Sequence, residues 1–371
     1  MKTNNQNILD TETKSEVVLQ PIIKLDEALI NKIAAGEVVE RPAAAVKELI
    51  ENAIDAQATS IQIFFSSGGK SLLKIIDNGF GIKKNQLKLA LKSHSTSKMH
   101  DTDLSKISTL GFRGEALPSI AAVSKMILRS RAYGALEAYE LISNAGRTEE
   151  IRPSSIQTGT SVEVRDLFYV TPVRLKFLRT DRVEAQAIFD IVKRLTLANP
   201  EIKFLLKDIT QSENKKDLLD LPAESGEDKF LKRINRVMGL NFTENSVRVY
   251  EVREQYSLFG YTSLPTNSTG SSSNQYFFVN GRSVKDKQLL GALRAAYFDF
   301  ITKDRYASAV LYFGCEPSLV DINVHPMKSE VRFKDPKDIR SLIISVIKST
   351  LAQNGLQSNS VLRAKTLSSF S

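Results

Sequence analysis

The segment Lys47-Glu48-Leu49-Ile50-Glu51-Asn52-Ala53-Ile54-Asp55 reads as helix. At 100° per residue Glu48, Asn52 and Asp55 share one face, and Val46, Leu49, Ile50 and Ala53 share the other. A carboxylate and an amide then project together. This fits a solvated helix face, and it also fits a carboxylate that polarises water beside an amide oxygen ligating Mg²⁺, a hard cation that prefers oxygen donors. Spacing alone does not choose. Downstream, Ile75-Ile76-Asp77-Asn78-Gly79-Phe80-Gly81 places an acid at a strand end, before a turn whose glycines permit positive φ and close backbone approach. Asp77 either caps an Asn-Gly turn or accepts a hydrogen bond from an adenine amino group. A third segment, Gly111-Phe112-Arg113-Gly114-Glu115-Ala116-Leu117, follows the polar run His94-Ser95-Thr96-Ser97-Lys98. Glycine-bracketed amides just before a helix suit an anion, because unpaired N–H groups and the helix dipole point the same way.

Other chemistries are excluded by what is missing. Gly69-Lys70-Ser71 resembles the tail of a Walker A loop, but Phe64 stands where its first glycine must be, so the stretch reads as a hairpin turn. His94, His100 and His325 share no metal-ligand spacing, and there is no Gly-x-Ser-x-Gly elbow. The single cysteine, Cys315, rules out an internal disulfide framework and follows a strand-like run, which predicts a buried, inert thiol.

The elements that must position these residues are legible in outline. Residues 26–56 are helical in pattern with a break at Arg41-Pro42, where proline tolerates a first turn but not an interior. Residues 60–65 and 71–77 are β-branched and aromatic and flank a Gly-Gly turn, which predicts an antiparallel hairpin. Residues 92–116 read as a loop that a ligand could order, and strands dominate 124–168. Asp181 is placed to cap a helix that stops before Pro200. The charged stretch 211–229 fits a domain boundary. Beyond it a helix closes at Gly239, Asn280-Gly281 marks a tight hairpin, and residues 286–300 form an amphipathic helix.

With 371 residues, 42% hydrophobic and 25% charged, the chain is long enough for two cores. The expected division is a mobile arm at 1–20, a first domain at 21–225, a second at 226–352 and the start of a flexible linker at 353–371. No apolar run reaches the roughly 18 residues of a membrane span, and the N-terminus is unlike a signal peptide, so a cytoplasmic protein is expected. The formal charge of +9 fits a phosphate-backbone partner.

Taken in order, the segments resemble the GHKL class of ATPases. That class combines an Asn-bearing helix, Asp-x-Gly-x-Gly, a glycine lid and a late Gly-Thr, here Gly159-Thr160. Ile33-Ala34-Ala35-Gly36-Glu37-Val38-Val39-Glu40-Arg41-Pro42, Gly111 to Leu117, Asp166-Leu167-Phe168-Tyr169 and Asp321-Ile322-Asn323-Val324-His325-Pro326-Met327-Lys328 resemble the MutL family specifically. The resemblance runs from about residue 21 to 352. It implies a Bergerat-type α/β sandwich followed by a smaller βαβ-containing transducer domain like that of a small-subunit ribosomal protein. A type II topoisomerase subunit would share both domains but not Gly-Phe-Arg-Gly-Glu-Ala-Leu.

The resemblance implies roles as well. Glu48 is then the general base, Asn52 the Mg²⁺ ligand, and Asp77 the adenine contact supported by Thr160, with Gly79 and Gly81 letting backbone approach the base. Thr96, Ser97 and Lys98, with Gly111, Phe112, Arg113 and Gly114, belong to a lid over the phosphates of ATP, and Lys328 reaches the γ-phosphate from the second domain. The implied function is a slow mismatch-repair ATPase whose nucleotide state closes a homodimer. It would work with DNA, the mismatch-recognition protein MutS and a downstream nuclease or helicase. Lys285, Lys287 and Arg294 are candidate DNA contacts, though a basic solvated face explains them equally. No segment resembles the nicking-endonuclease motif of some relatives, so DNA cleavage is not expected. The alternative is an ATP-gated binding module in which hydrolysis is incidental.

Overall fold

The computed structural model describes residues 35–36, 38–98, 110–111, 114–211, 216–321 and 331–368, with backbone only at 216 and 355–368. The arm at 1–20, Phe112, Arg113 and Lys328 lie outside them. Helix α1 (Pro42–Asp55) begins where the sequence breaks. Arg41 is extended at its N-cap, and Pro42, which has no N–H to satisfy, takes the first turn. Val46, Leu49, Ile50 and Ala53 are buried as the periodicity requires.

Strands β1 (Ser60–Ser66) and β2 (Leu72–Asp77) form the expected antiparallel hairpin, and Ser67–Gly69 is its turn. Then come α2 (Lys84–Ala90), α3 (Ala116–Ala122), β3 (Lys125–Arg131), β4 (Ala138–Asn144), β5 (Arg147–Thr148), β6 (Arg152–Ser154) and β7 (Gly159–Arg165). Two helices follow, α4 (Pro172–Phe177) and α5 (Asp181–Ala198), and then β8 (Lys203–Asp208) and β9 (Lys216–Leu221). One sheet runs β5-β4-β3-β7-β2-β1-β8-β9, with β6 paired to β4. Its inward row includes Ile61, Ile63, Phe65, Leu73, Ile75, Leu128 and Val164, against which α1 and α5 pack in one core.

The second unit comprises α6 (Lys229–Met238), α7 (Leu240–Glu244), β10 (Ser246–Arg253), β11 (Tyr256–Ser263), β12 (Gln275–Val279), β13 (Arg282–Val284), α8 (Lys287–Ala296), β14 (Ala309–Cys315), β15 (Val320–Asp321), β16 (Arg332–Phe333) and α9 (Pro336–Ser368). Its sheet order is β10-β11-β14-β12-β13. Strands β12 and β14 are parallel, joined through α8, so this is the βαβ-containing unit that the sequence implied. Asn280 and Gly281 both have positive φ in the β12–β13 turn, and Asp286 caps α8 by accepting from the Gln288 and Leu289 amides.

Three expectations are corrected and a fourth is filled in. Asp181 is the first residue of α5 rather than its cap, because its carboxylate pairs with Lys70 at 2.9 Å while Thr180 takes the cap position. The stretch 211–229, read as a domain boundary, also contains β9, an edge strand of the first sheet whose apolar Leu218-Leu219 and Leu221 were masked by the charges around them. Residues 353–368 continue α9 instead of opening a linker, since the segment lacks proline and its Leu, Ala, Arg and Gln residues favour helix despite the serines. Cys315 is half-buried at the end of β14, and burial raises its thiol pKa, so it remains a poor nucleophile. No helix of the described residues is long and apolar enough to cross a membrane.

A buried cation joins the units. Arg233 on α6 is fully buried, and its guanidinium donates to the carbonyls of Thr196, Pro200, Ile202 and Pro222 at 2.7–3.0 Å. Burial depresses its pKa to about 10, so it stays charged. Beside it Tyr312 stacks on Phe259 and Phe278 and donates its hydroxyl to the Leu197 carbonyl at 2.8 Å. Arg233→Met removes the side-chain donor from all four carbonyls, of which Thr196 and Pro200 keep the Asn199 and Glu224 amides, and is expected to destabilise the chain by about 3 kcal/mol, read as a lower urea midpoint.

Candidate active site

Helix α1, the end of β2, the start of β7 and the two ends of the polar loop enclose a cavity of about 690 Å³. Glu48, Asn52, Asp77, Gly81, Thr96, Ser97, Lys98, Gly111, Gly114 and Thr160 all line it. The sequence had distributed these residues over 113 positions, from 48 to 160, and the fold brings them to one wall-lined space.

One end of the cavity is built around Asp77. Alternation along β2 puts Leu73, Ile75 and Asp77 on the core-facing row, so the acid is buried where a hydrophobe would otherwise sit. One oxygen, Oδ1, accepts from the amides of Gly79 at 2.9 Å and Thr160 at 3.3 Å. Burial outweighs these bonds and pushes the carboxyl pKa up to about 6. Register pairs Asp77 with Thr160, and Thr160 with Ser130 on β3. Ser130 was not foreseen. Its hydroxyl donates to the Gly159 carbonyl at 2.8 Å, lies 3.1 Å from the Thr160 hydroxyl and accepts from the Ile82 amide at 2.7 Å, locking the turn after β2 to β3 and β7. A serine in the buried row Met126, Leu128, Ser130 was the available signal.

Of the two readings of the Asp-Asn-Gly turn, the capping one is observed: Asp77 accepts from the Gly79 amide, and Asn78 accepts from the Thr59 and Ser60 amides at 2.9 and 2.8 Å. The glycines answer first to the chain's own backbone. A Cβ on Gly79 would lie 2.5 Å from the Ala56 carbonyl, and Gly81, at φ +67°, would press on that of Arg131 at 2.2 Å.

The other end is anionic. Glu48, Asn52 and Asp55 project from the predicted face of α1, with Glu51 beside them. Lys47 pairs with Glu48 at 3.2 Å and Glu51 at 2.9 Å; burial would lower its pKa, but these carboxylates more than reverse that and hold it raised. From the loop, Lys98 donates to Asn52 Oδ1 at 2.8 Å and Asp55 Oδ2 at 2.5 Å. Where the loop returns, the Leu110 and Gly111 amides donate to Asp55 Oδ1 and Oδ2 at 2.9 and 3.1 Å. Asp55, noted on the helix face but given no role, is thus the clasp for both described ends of the loop. A Cβ on Gly111 would sit 3.4 Å from Lys98 Nζ and 3.8 Å from both Asn52 Oδ1 and Asp55 Oδ2, in ordinary contact with this charged corner.

The proposed DNA residues lie elsewhere. Lys287 and Lys285 are exposed, although partial desolvation, and then Arg194 nearby, lower the Lys285 pKa. Arg294 is engaged structurally, donating to the carbonyls of Arg305, at 2.7 Å, and Lys303 while lying over the Tyr306 ring.

Residues 40–169 match the family model described as histidine kinase-, DNA gyrase B- and HSP90-like ATPase. Residues 234–352 match the model for the DNA mismatch repair protein, C-terminal domain. The DNA mismatch repair protein MutL of Brucella anthropi is 48% identical over 338 residues, 91% of this chain and 53% of that protein. MutL of Rhizobium leguminosarum is also 48% identical, over 94% of this chain and 57% of that protein. The chain belongs to the MutL family. It spans about half the length of these MutL relatives. Among solved structures, the N-terminal domain of a DNA repair protein superimposes with a TM-score of 0.76 at 25% identity, covering 88% of this chain and 99% of that one. The Aquifex aeolicus MutL ATPase domain complexed with ADP gives 0.57 at 29% identity, covering 76% and 94%. The GHKL-type α/β fold expected from the motifs is therefore the fold of this MutL-family chain.

The buried Asp77 has a measurable signature. Burial penalises its charged form, so the penalty is absent below about pH 4 and complete above about pH 6, and wild-type stability falls as pH rises through that window. Asp77→Asn, which keeps an acceptor for Gly79 and Thr160, is expected to be the more stable protein at pH 7.5 by up to about 3 kcal/mol, with the gain vanishing near pH 4. Urea titrations at several pH values check this.

Proposed function

We propose that this chain binds ATP with Mg²⁺ in the cavity and hydrolyses it slowly, as the nucleotide-responsive part of a DNA mismatch repair protein. The observation that carries the reading is the polarity of the cavity. A buried carboxylate with a free second oxygen edge stands at one end, and a helix face bearing Glu48, Asn52 and Asp55 stands at the other, under a loop that returns through glycines.

At the first end Asp77 accepts from the adenine amino group, with Thr160 and Ser130 fixing the direction of its carboxylate. At the second, Glu48 takes the proton of the attacking water. The donor set suits magnesium: Asn52 Oδ1 already faces the Lys98 ammonium, so it is aimed at positive charge. Bound there with the phosphates, the ion would neutralise charge that develops as the γ-phosphoryl transfers. Lys98 must leave Asn52 for this, and it then has the phosphates as its counter-charge. Thr96, Ser97, Gly111, Phe112, Arg113 and Gly114 supply the lid, and Lys328 is the proposed contact from the second unit. Closure of two copies on ATP, DNA contact through Lys285 and Lys287, and cooperation with MutS and a downstream nuclease or helicase complete the reading. The mismatch-repair names of its relatives and its +9 charge support it.

ATP binding and turnover measured side by side for wild type and Glu48→Ala, with Mg²⁺ and then with chelator, test the core of this. Expected are slow Mg²⁺-dependent turnover in wild type, and a variant that binds ATP but turns over at least about tenfold less. Binding by both with turnover by neither would recast the chain as an ATP-gated binding module.

A further inference from the structure

Asp77 on β2, Thr160 on β7 and Ser130 on β3 are register partners on three adjacent strands, so their side chains form one row on the same face of the sheet. Asp77 and Thr160 line the cavity, and Ser130, 1% exposed, lies beside Thr160 outside that lining. A serine hydroxyl has one proton to donate and two lone pairs to accept with. Here the Ile82 amide takes one lone pair at 2.7 Å, and the Gly159 carbonyl, which can only accept, takes the proton at 2.8 Å. The Thr160 hydroxyl, 3.1 Å away, then meets the second lone pair and must donate to it. With its proton turned toward Ser130, Thr160 Oγ1 shows the cavity lone pairs alone. Asp77 does the same: Oδ1 is committed to the Gly79 and Thr160 amides, and above the carboxyl pKa of about 6 Oδ2 is an acceptor without a proton.

We propose that Ser130 is a specificity-determining residue of the nucleotide site: by holding the proton of the Thr160 hydroxyl away from the ligand, it makes the base end a rim of acceptors that takes a 6-aminopurine and turns away a 6-oxopurine. The inference rests on the ATP reading above. An exocyclic amino group brings two N–H donors to this rim. A 6-oxopurine brings one, at N1, which can serve one of the two acceptors while its oxygen opposes the other. A site built to accept from a ligand N–H discriminates against an analogue that lacks it, because buried groups are then left unpaired. Ser130 itself touches no ligand and acts through Thr160. Its removal frees the Thr160 hydroxyl to turn and donate to a 6-oxo group, so the loss shows in the choice between bases.

The experiment measures the affinities of ADP and of IDP, its 6-oxo analogue, by calorimetry with Mg²⁺ at about pH 8, where Asp77 is ionised, for wild type, Ser130→Ala, Thr160→Val and the double variant. Wild type is expected to bind ADP at least about tenfold more tightly than IDP. Ser130→Ala should lower that ratio by about fivefold or more, with IDP affinity rising, and should lower it no further in the Thr160→Val background. A general loosening of the fold moves both affinities together and leaves the ratio where it was. The inference is overturned by a wild-type ratio near one, a Ser130→Ala ratio within about twofold of wild type, a fall due to ADP alone, or an equal effect in the Thr160→Val background. If Ser130→Ala does not fold, Thr160→Val decides: it should weaken ADP binding and spare IDP binding, and equal losses overturn the inference. A wild-type chain that binds neither ATP nor ADP overturns the ATP reading itself, which separates that failure from this one.

Discussion

Asp77 Oδ1 accepts from the Gly79 and Thr160 amides, and this clasp ties the end of β2 to the start of β7 and to the turn that leads into α2. Its cost is a carboxylate buried in a row of hydrophobes. Its consequence is that three backbone segments meet within hydrogen-bonding range of one side chain, with Ser130 closing the circle from β3. Gly159, at φ +131° with a Cβ that would fall 2.0 Å from the Asp77 carbonyl, is the residue that lets the strands come so close. The remaining walls of the cavity, α1 and the loop ends, are arranged around this fixed end.

At the opposite end the ordering principle is charge balance. Four acidic or amide side chains, Glu48, Glu51, Asp55 and Asn52, crowd one face of α1, and three cations answer them from three parts of the chain: Lys47 on the same helix, Lys98 from the loop and Arg282 from the second sheet. Helical periodicity supplies the acids, whereas their partners come from 43 and 46 positions away in the case of Lys98, and from the other sheet in the case of Arg282. The loop is held because the helix is anionic.

That difference explains what the sequence disclosed. Glu48, Asn52 and Asp77 were legible because local spacing alone places them, on a helix face and at a strand end. The β1–β2 hairpin and the start of α1 at Pro42 were legible for the same reason, whereas the βαβ order of the second unit came only through the family resemblance. Ser130, the clasp role of Asp55 and the reach of Arg282 were not, since each depends on registers or contacts between distant segments. Composition misled where two tendencies competed: charges concealed the apolar alternation of β9, and serines concealed the helix formers of α9. Lys285 and Lys287 could be named as basic and exposed, but Arg294, of the same charge type, is occupied by the carbonyls of Lys303 and Arg305.

Arg233 also stands where α5 ends. Its guanidinium meets the Thr196 carbonyl in the last turn of that helix and the Pro200 and Ile202 carbonyls just beyond it. A fixed positive charge therefore faces the negative end of the α5 dipole, while Asp181 and Glu184 stand in its first turn, at the positive end. The helix that backs the first sheet is thus charge-matched at both termini, and at one of them the matching charge is lent by the second unit.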